Sequence, residues 1–523
     1  MDWNYWLSLM VCFFCLAFLV RIFRASPRQN LGWIAVCSGI LGITLLMLYL
    51  APMIAGLTGF VFWGILLVIP SLGFSRVKRL VYQQKYGQAS QLMSWLRWLH
   101  PADGWLDQPL VFLALDAAQK GNLNQAAQLL QRYEKSPYHS QVLLYWIKAD
   151  WNNCLAWFNQ SVPKSILLKD PLLISYYLRS LGETGDLNGL VQGLEIFENF
   201  LVKKGDIITY NLGIMYVLAF CGQTSQVRQL FKGVLSVYSK NFQTFWILTS
   251  QMIAGQEELA RQQFLNLRLT EDLILCNAIE WRLCHPPKIP NLVLDQSSRH
   301  IIFRLKHIIG QEFSGRIKNK FTLKNSYMTL ILIALNLGAF ALEIYQGGSE
   351  NLDILYNLGG LVPQEILAGQ WWRVVTANFL HYGWLHLASN MMGLYFVGRF
   401  VELALGKFRY LLVYFFSGVG AMTLFSLLSI KLGNTGEILV GASAGIMGLV
   451  GGIFALFVRD WWQEKSPIAT KRLQVIFVVV CLQFIFDRLV PEVSSLSHFL
   501  GLVIGFITGG LLLIHRQEAT GKR

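Results

Sequence analysis

Residues 439–458 read LVGASAGIMGLVGGIFALFV. A stretch of this length without a charge is long enough to cross the hydrocarbon core of a bilayer as one helix. Near its start Ser443 stands among small neighbours, Gly441, Ala442, Ala444 and Gly445. A second polar group, His498, opens another apolar stretch, Leu496 to Ile514. Polar and ionisable groups are costly inside a membrane and mark function by default. A hydroxyl and an imidazole at matched depth supply a nucleophile and a base, so the expected activity is proteolysis within the membrane.

The composition agrees with a chain that lives mostly in lipid: 54% of residues are hydrophobic and 14% are charged, against roughly 25% charged in soluble domains. Apolar runs of spanning length fall in two blocks. The first holds Trp3 to Val20, Leu31 to Leu50 and Met53 to Leu72. The second holds Met328 to Tyr345, Leu385 to Leu405, Tyr410 to Ile430, Leu439 to Val458, Leu473 to Phe486 and Leu496 to Ile514. The expected fold is therefore all-α and polytopic. Residues 1–75 form an N-terminal membrane block of about three helices, 76–320 a cytoplasmic helical domain, and 321–523 a six-helix bundle.

The first run lacks a basic start, since Asp2 precedes it and Arg21 and Arg24 follow it, so it reads as a retained anchor and not as a signal peptide. Cytoplasmic loops collect Lys and Arg. One side of the six-helix block carries Arg399, Lys407, Arg409, Arg459, Lys465, Lys471, Arg472, Arg516, Lys522 and Arg523, and the other only Arg373, Lys431 and Arg488. The basic side, the region after Arg76 and the carboxyl terminus are assigned to the cytoplasm. Ser443, His498 and His386 then share a depth near the outer surface. With no Arg- and Ser-rich transit segment ahead of the first helix, the expected location is a bacterial plasma membrane.

The eight cysteines lie in apolar helices or in the cytoplasmic region, where disulfides are not expected. Cys12-x-x-Cys15 sits mid-span without other ligands and reads as lipid-facing or packing. A net charge of +14 follows from positive-inside loops facing anionic lipid headgroups, and no interleaved aromatic and basic pattern calls for nucleic acid. No metal or organic cofactor is called for.

Between Lys78 and Lys324 turn-like positions recur at Gly121-Asn122, Asp150 to Asn152, Gly185-Asp186, Gly222 and Gly255, separated by helical patterns. Segments such as Leu115 to Tyr133 resemble a degenerate tetratricopeptide-type helix pair. Stacked pairs share a core and leave a concave surface, which suits a cytoplasmic partner or a substrate tail.

In His381-Tyr-Gly-Trp-Leu-His386-Leu-Ala-Ser-Asn390, a spacing of four puts His386 and Asn390 on one helix face. Donors converging on one dry volume are what an oxyanion needs; they also serve as polar glue between membrane helices. Ala444, Gly448 and Gly452 recur at four-residue spacing, as do Gly501, Gly505 and Gly509. Such stripes let two backbones approach closely, the condition for short side chains on separate helices to meet at hydrogen-bond range. The Gly-x-Ser-x-Gly pattern also occurs at the strand-to-helix elbow of soluble hydrolases. Here the residues from Lys431 to Leu439 are Gly-rich and loop-like, and an apolar span follows.

Over about residues 324–516 the chain resembles the rhomboid family of intramembrane serine proteases. The features that carry the resemblance are Trp372-Arg373, His386-x-x-x-Asn390, Gly398-x-x-x-Glu402-x-x-x-Gly406, Gly441-Ala442-Ser443 and His498-x-x-Gly501-x-x-x-Gly505. The resemblance implies Ser443 as nucleophile and His498 as general base, with His386, Asn390 and the Ser443 N–H as oxyanion hole. It further implies a six-helix core, the structural glycines Gly441, Gly445, Gly501 and Gly505, and small residues at the scissile site. Two positions depart from the family pattern. Ala444 stands where Gly is common, and Met447 stands where an aromatic residue often supports the histidine ring.

Asp487 and Glu492 are placed on the outer side of the fifth helix of the block, so the expectation is a Ser-His dyad without an acidic third member. Substrates are expected to be single-pass membrane proteins, cut near their outer ends where a helix frays. The alternative function is a silent rhomboid-like adaptor that binds client helices while its cytoplasmic domain recruits partners.

Overall fold

The computed structural model describes residues 3–25, 30–133, 137–204, 206–316, 326–464, 467–489 and 493–520. Asp2, Lys465, Glu492, Lys522 and Arg523 lie outside them, as does the start of the third expected domain at 321–325. The described secondary structure is helical apart from one isolated antiparallel bridge between Leu361 and Leu439. This is an all-α polytopic membrane protein.

The long helices of the two apolar blocks are numbered α1 (Trp3–Ala25), α2 (Leu31–Leu50), α3 (Pro52–Tyr82), α4 (Tyr327–Tyr345), α5 (383–405), α6 (Lys407–Lys431), α7 (Ser443–Glu464), α8 (Pro467–Leu489) and α9 (Ser495–Thr520). Nine spans were expected, and among the described residues seven helices are long and apolar enough to cross a membrane. The two others are helical but fall short for different reasons. Helix α5 carries His386, Asn390, Arg399 and Glu402 along its length and turns through a π segment at Leu394–Gly398. In α8 the apolar stretch Arg472–Ile485 lies within a helix of 23 residues.

The chain divides into two compact units, Met10–Gly315 and a second made of Arg316–Arg523 with Met1–Leu9. In the first unit, α2 and α3 meet at Ala51, and Pro52 starts α3 where its missing N–H costs nothing. Val11 and Cys15 of α1, Trp33, Cys37 and Ile40 of α2 and Leu67 of α3 share a core with Met93, Leu96 and Trp105. The first N–H groups of a helix lack intrahelical partners. At α2 the Asp103 carboxylate accepts them, from Gly32 N at 3.0 Å and Trp33 N at 3.2 Å. His100 stacks on Trp33 with ring centres 4.0 Å apart.

Beyond Tyr82 the chain forms successive short helices with their own cores. The glycines noted in the sequence, Gly121, Gly185, Gly222 and Gly255, all have positive φ and end helices there, the conformation glycine adopts without strain. Aspartates start helices in return: Asp170 accepts from Leu172 N at 2.9 Å and Asp206 from Thr209 N at 3.0 Å. Burial pushes the thiols of Cys154 and Cys221 up to about 12, which makes them unreactive packing groups. Deep in this region Glu183 pairs with Arg179 at 3.3 Å and with Arg282, and all three are buried. Arg179 also lies over the rings of Trp151 and Trp246, 4.5 and 5.1 Å from their centres. Removing one member of a buried ion cluster leaves the others uncompensated. Glu183→Ala is therefore expected to destabilise the first unit by about 3–5 kcal/mol, measured as a lowered thermal unfolding midpoint of the full chain in detergent.

In the second unit, Glu402 explains one of the sequence motifs. Its carboxylate, 2% exposed, accepts from Met328 N at 3.1 Å, Thr329 N at 2.9 Å and Thr329 Oγ1 at 2.8 Å, which caps α4 from α5. Arg373 does the same for the loop after α4. Its Nη1 donates to the carbonyls of Tyr356 at 2.7 Å and Gly360 at 2.8 Å, and its Nε to Gln370 Oε1 at 2.7 Å. Each buried charge thus satisfies backbone groups that have no water to turn to.

Candidate active site

Helix α7 begins at Ser443, so its first free N–H groups and the positive end of its dipole face the residues just before it. Those residues are held from two sides. Leu439 pairs with Leu361, N–H to O at 2.9 and 3.0 Å in the two directions, and Gly441 N donates to Ala377 O at 2.8 Å. The loop that leads into the serine is therefore fastened to the segment that Arg373 organises.

Gly441 has φ +129°, and a Cβ there would lie 2.7 Å from His386 Cε1, 2.8 Å from His386 Nε2 and 3.6 Å from Asn390 Nδ2. Only glycine allows the loop to pass so close to both donors of α5. His386 Nδ1 faces the Tyr382 N–H at 3.4 Å, which assigns the ring proton to Nε2, the nitrogen turned toward Gly441. Asn390 is 6% exposed and its Nδ2 has no hydrogen-bond partner. A buried amide donor without a partner is costly in a folded protein, and it is the kind of group a developing oxyanion would satisfy.

His498 lies in the first turn of α9 and is 6% exposed. Its helix touches α7 backbone to backbone: a methyl added at Gly501 would land on Ala444 O, one at Gly505 on Gly448 O, and one at Gly509 would lie 2.8 Å from Gly452 Cα. Gly445 faces the other neighbour, α6, where a Cβ would lie 2.8 Å from Tyr414 Cε2. Ser443 and His498 are thus carried at the same end of two helices in contact. The structure does not join the Ser443 hydroxyl to the imidazole by a hydrogen bond; such bonds are often long before substrate is present.

One expectation is corrected. The sequence reading put Asp487 on the outer side of α8 and expected no acidic partner for the histidine, whereas its Oδ2 lies 2.8 Å from His498 Nδ1 and the residue is 2% exposed. Helix-side reasoning failed here because the crossing of α8 over the start of α9 is not encoded in either helix alone. A second polar partner also went unread. Glu343, buried in α4, accepts the His381 N–H at 2.9 Å, and the His381 ring sits 5.2 Å from that of His386. An acidic residue within an apolar span is itself the signal that could have found it.

A family model described as the Rhomboid domain matches residues 368–515. Rhomboid protease AarA of Providencia stuartii is 31% identical over 214 residues, which cover 37% of this chain and 75% of that relative. The chain belongs to the rhomboid family. Rhomboid protease GluP of Bacillus subtilis is 31% identical over 195 residues, 37% of this chain and 36% of that protein. RHOMBOID-like protein 5 of Arabidopsis thaliana is 30% identical over 168 residues, 32% and 52%. This chain therefore spans about a third to a half of the length of the latter two. No solved structure matches. The matched part of the rhomboid chain contains Arg373, His386, Asn390, Glu402, Ser443, Asp487 and His498, and all of the first unit lies outside it.

The contact between α7 and α9 can be probed with a matched pair. Gly505→Ala is expected to lower the thermal midpoint in detergent by an amount equivalent to about 1–3 kcal/mol, because its methyl meets backbone. Gly510→Ala on the same helix meets nothing within 4 Å and should leave the midpoint unchanged or slightly raised.

Proposed function

We propose that this rhomboid is an intramembrane serine endopeptidase in which Ser443 is the nucleophile and His498 its general base. The observation that carries the reading is the buried, unpartnered Nδ2 of Asn390 beside Gly441, next to the start of the helix that bears Ser443. Among the described residues nothing accepts from that donor, and a tetrahedral oxyanion would. The names of two relatives, GluP and AarA, which are rhomboid proteases, support the same class of reaction.

The reaction follows from the placement of the groups. Ser443 Oγ attacks a peptide carbonyl as its proton passes to His498. The carbonyl oxygen becomes an anion and is met by Asn390 Nδ2, the His386 Nε2 proton and the free N–H groups at the start of α7, whose dipole favours negative charge. His498 then protonates the leaving amine, and water releases the acyl group by the same route in reverse. Because a helix hides its carbonyls in internal hydrogen bonds, the substrate must be unwound locally. The bias of Lys and Arg between the loops supports a serine toward the outer face, with the first unit's short helices and the carboxyl terminus in the cytoplasm; the membrane of this reading is a bacterial plasma membrane. The substrates this fits are single-pass membrane proteins cut near their outer ends. The short helices after Tyr82 are read as stacked tetratricopeptide-like pairs that hold a cytoplasmic protein or a substrate tail.

Ser443→Ala is expected to abolish cleavage of a model transmembrane substrate in proteoliposomes, and retained cleavage would end the proposal. Asn390→Ala should lower kcat by roughly 10²–10³ with little change in KM, since the donor acts on charge that develops only in the transition state. If full-length chains carrying Ser443→Ala kept every cellular phenotype, the adaptor function would replace the protease.

A further inference from the structure

Asp487 is a carboxylate buried in an apolar bundle, and it stands where it has no obvious structural employment. It caps no helix by its side chain and, among the described residues, its ion-pair partner is His498, at 2.8 Å between Oδ2 and Nδ1. Its second oxygen accepts from Gln483 Nε2 at 2.8 Å, one turn earlier on α8. The Ser495 hydroxyl donates to the Asp487 backbone carbonyl at 3.3 Å, which ties the end of α8 to the start of α9. The carboxylate is therefore oriented by its own helix and aimed at one nitrogen of one ring.

At the position on α7 where the family often carries an aromatic residue, this chain has Met447. It is 5% exposed and packs in a small apolar cluster with Val450, Val480 and Leu502, the second of these on α8. A flexible thioether cannot fix a ring's rotation or its tautomer. A carboxylate on Nδ1 does both, because it accepts the Nδ1 proton and leaves the Nε2 lone pair free.

We propose that Asp487 is the positioning residue of a Ser443–His498–Asp487 triad, with Gln483 holding the carboxylate in register; this rests on the protease reading above. In the attack step the Ser443 O–H bond breaks, Oγ bonds to the carbonyl carbon and the proton moves to Nε2. The resulting imidazolium keeps its Nδ1–H toward Asp487, which stays ionised and pairs with the new positive charge. No proton passes to the carboxylate. In a medium as apolar as this one an unpaired imidazolium would be costly, and the carboxylate offsets that cost at the moment the charge appears.

The test compares wild type, Ser443→Ala, Asp487→Asn, Asp487→Glu and Gln483→Ala in two assays: steady-state cleavage of a single-pass substrate in proteoliposomes, and the rate at which a fluorophosphonate modifies the serine. Asp487→Asn is expected to lower kcat by roughly tenfold or more with KM within about twofold. Its modification rate should fall in step, while Asp487→Glu recovers part of both and Gln483→Ala loses less than the Asn variant. If wild type itself is neither modified nor active beyond Ser443→Ala, the protease reading fails. If wild type is active and folded Asp487→Asn retains its kcat and modification rate, the triad is overturned and the protease reading stands. A loss confined to the yield of folded protein, with the rate per folded molecule unchanged, overturns the triad as well. Should the Asn variant not accumulate at all, the Glu and Gln483 variants decide it: wild-type kcat in both rules the triad out.

Discussion

The second unit depends on two backbones touching inside a bilayer. Lipid offers no hydrophobic drive for helices to associate, so what holds α7 to α9 is close packing over a long contact. Gly501, Gly505 and Gly509 remove the side chains that would keep the axes apart, and the carbonyls of Ala444 and Gly448 occupy the space. In the proposed mechanism that closeness also has a chemical use. Serine and histidine are short, and their helices must nearly meet for an Oγ and an imidazole to share a proton.

A second constraint works in the opposite sense. Every polar group placed in the bundle has to be satisfied by the bundle, and the buried charges here are spent on backbone. Glu402 caps α4, Arg373 gathers the carbonyls of the loop after it, and Glu343 takes the His381 N–H. Of these, Arg373 holds the segment to which the Leu439–Gly441 loop is fastened, through the carbonyls of Tyr356 and Gly360. Asn390 Nδ2 is one of several buried polar atoms of the bundle left without a partner, and what sets it apart is its place beside Gly441 at the start of α7. Asp487 belongs to the same economy, but its partner is a side chain that can change charge.

The turn chemistry of the first unit shows local sequence acting alone. A glycine at positive φ can stop a helix without help from distant parts of the chain, and an aspartate two or three residues ahead of a free N–H can start one. The first device was read from sequence at Gly121, Gly185 and Gly222, and the structure adds the second at Asp170 and Asp206. The cluster of Glu183 with Arg179 and Arg282 was not visible, because Arg282 is distant in sequence and is brought in by the stacking of helix on helix.

The same division runs through the membrane bundle. Sequence alone determined the all-α membrane class, the places where most helices run, and the candidacy of Ser443, His498, His386 and Asn390, because apolar length, four-residue spacing and polar groups in apolar spans are local properties. Seven of the nine expected spans are long and apolar enough by themselves among the described residues, and the other two, α5 and α8, are helical where they were expected. What only the tertiary structure decided is which polar groups meet. Gly441 passes beside His386 and Asn390 because the loop is pinned to Leu361 and Ala377, and Asp487 reaches His498 because α8 crosses the start of α9. The rotation of one helix about its axis relative to another is fixed by packing over their whole length, and no single segment carries that information.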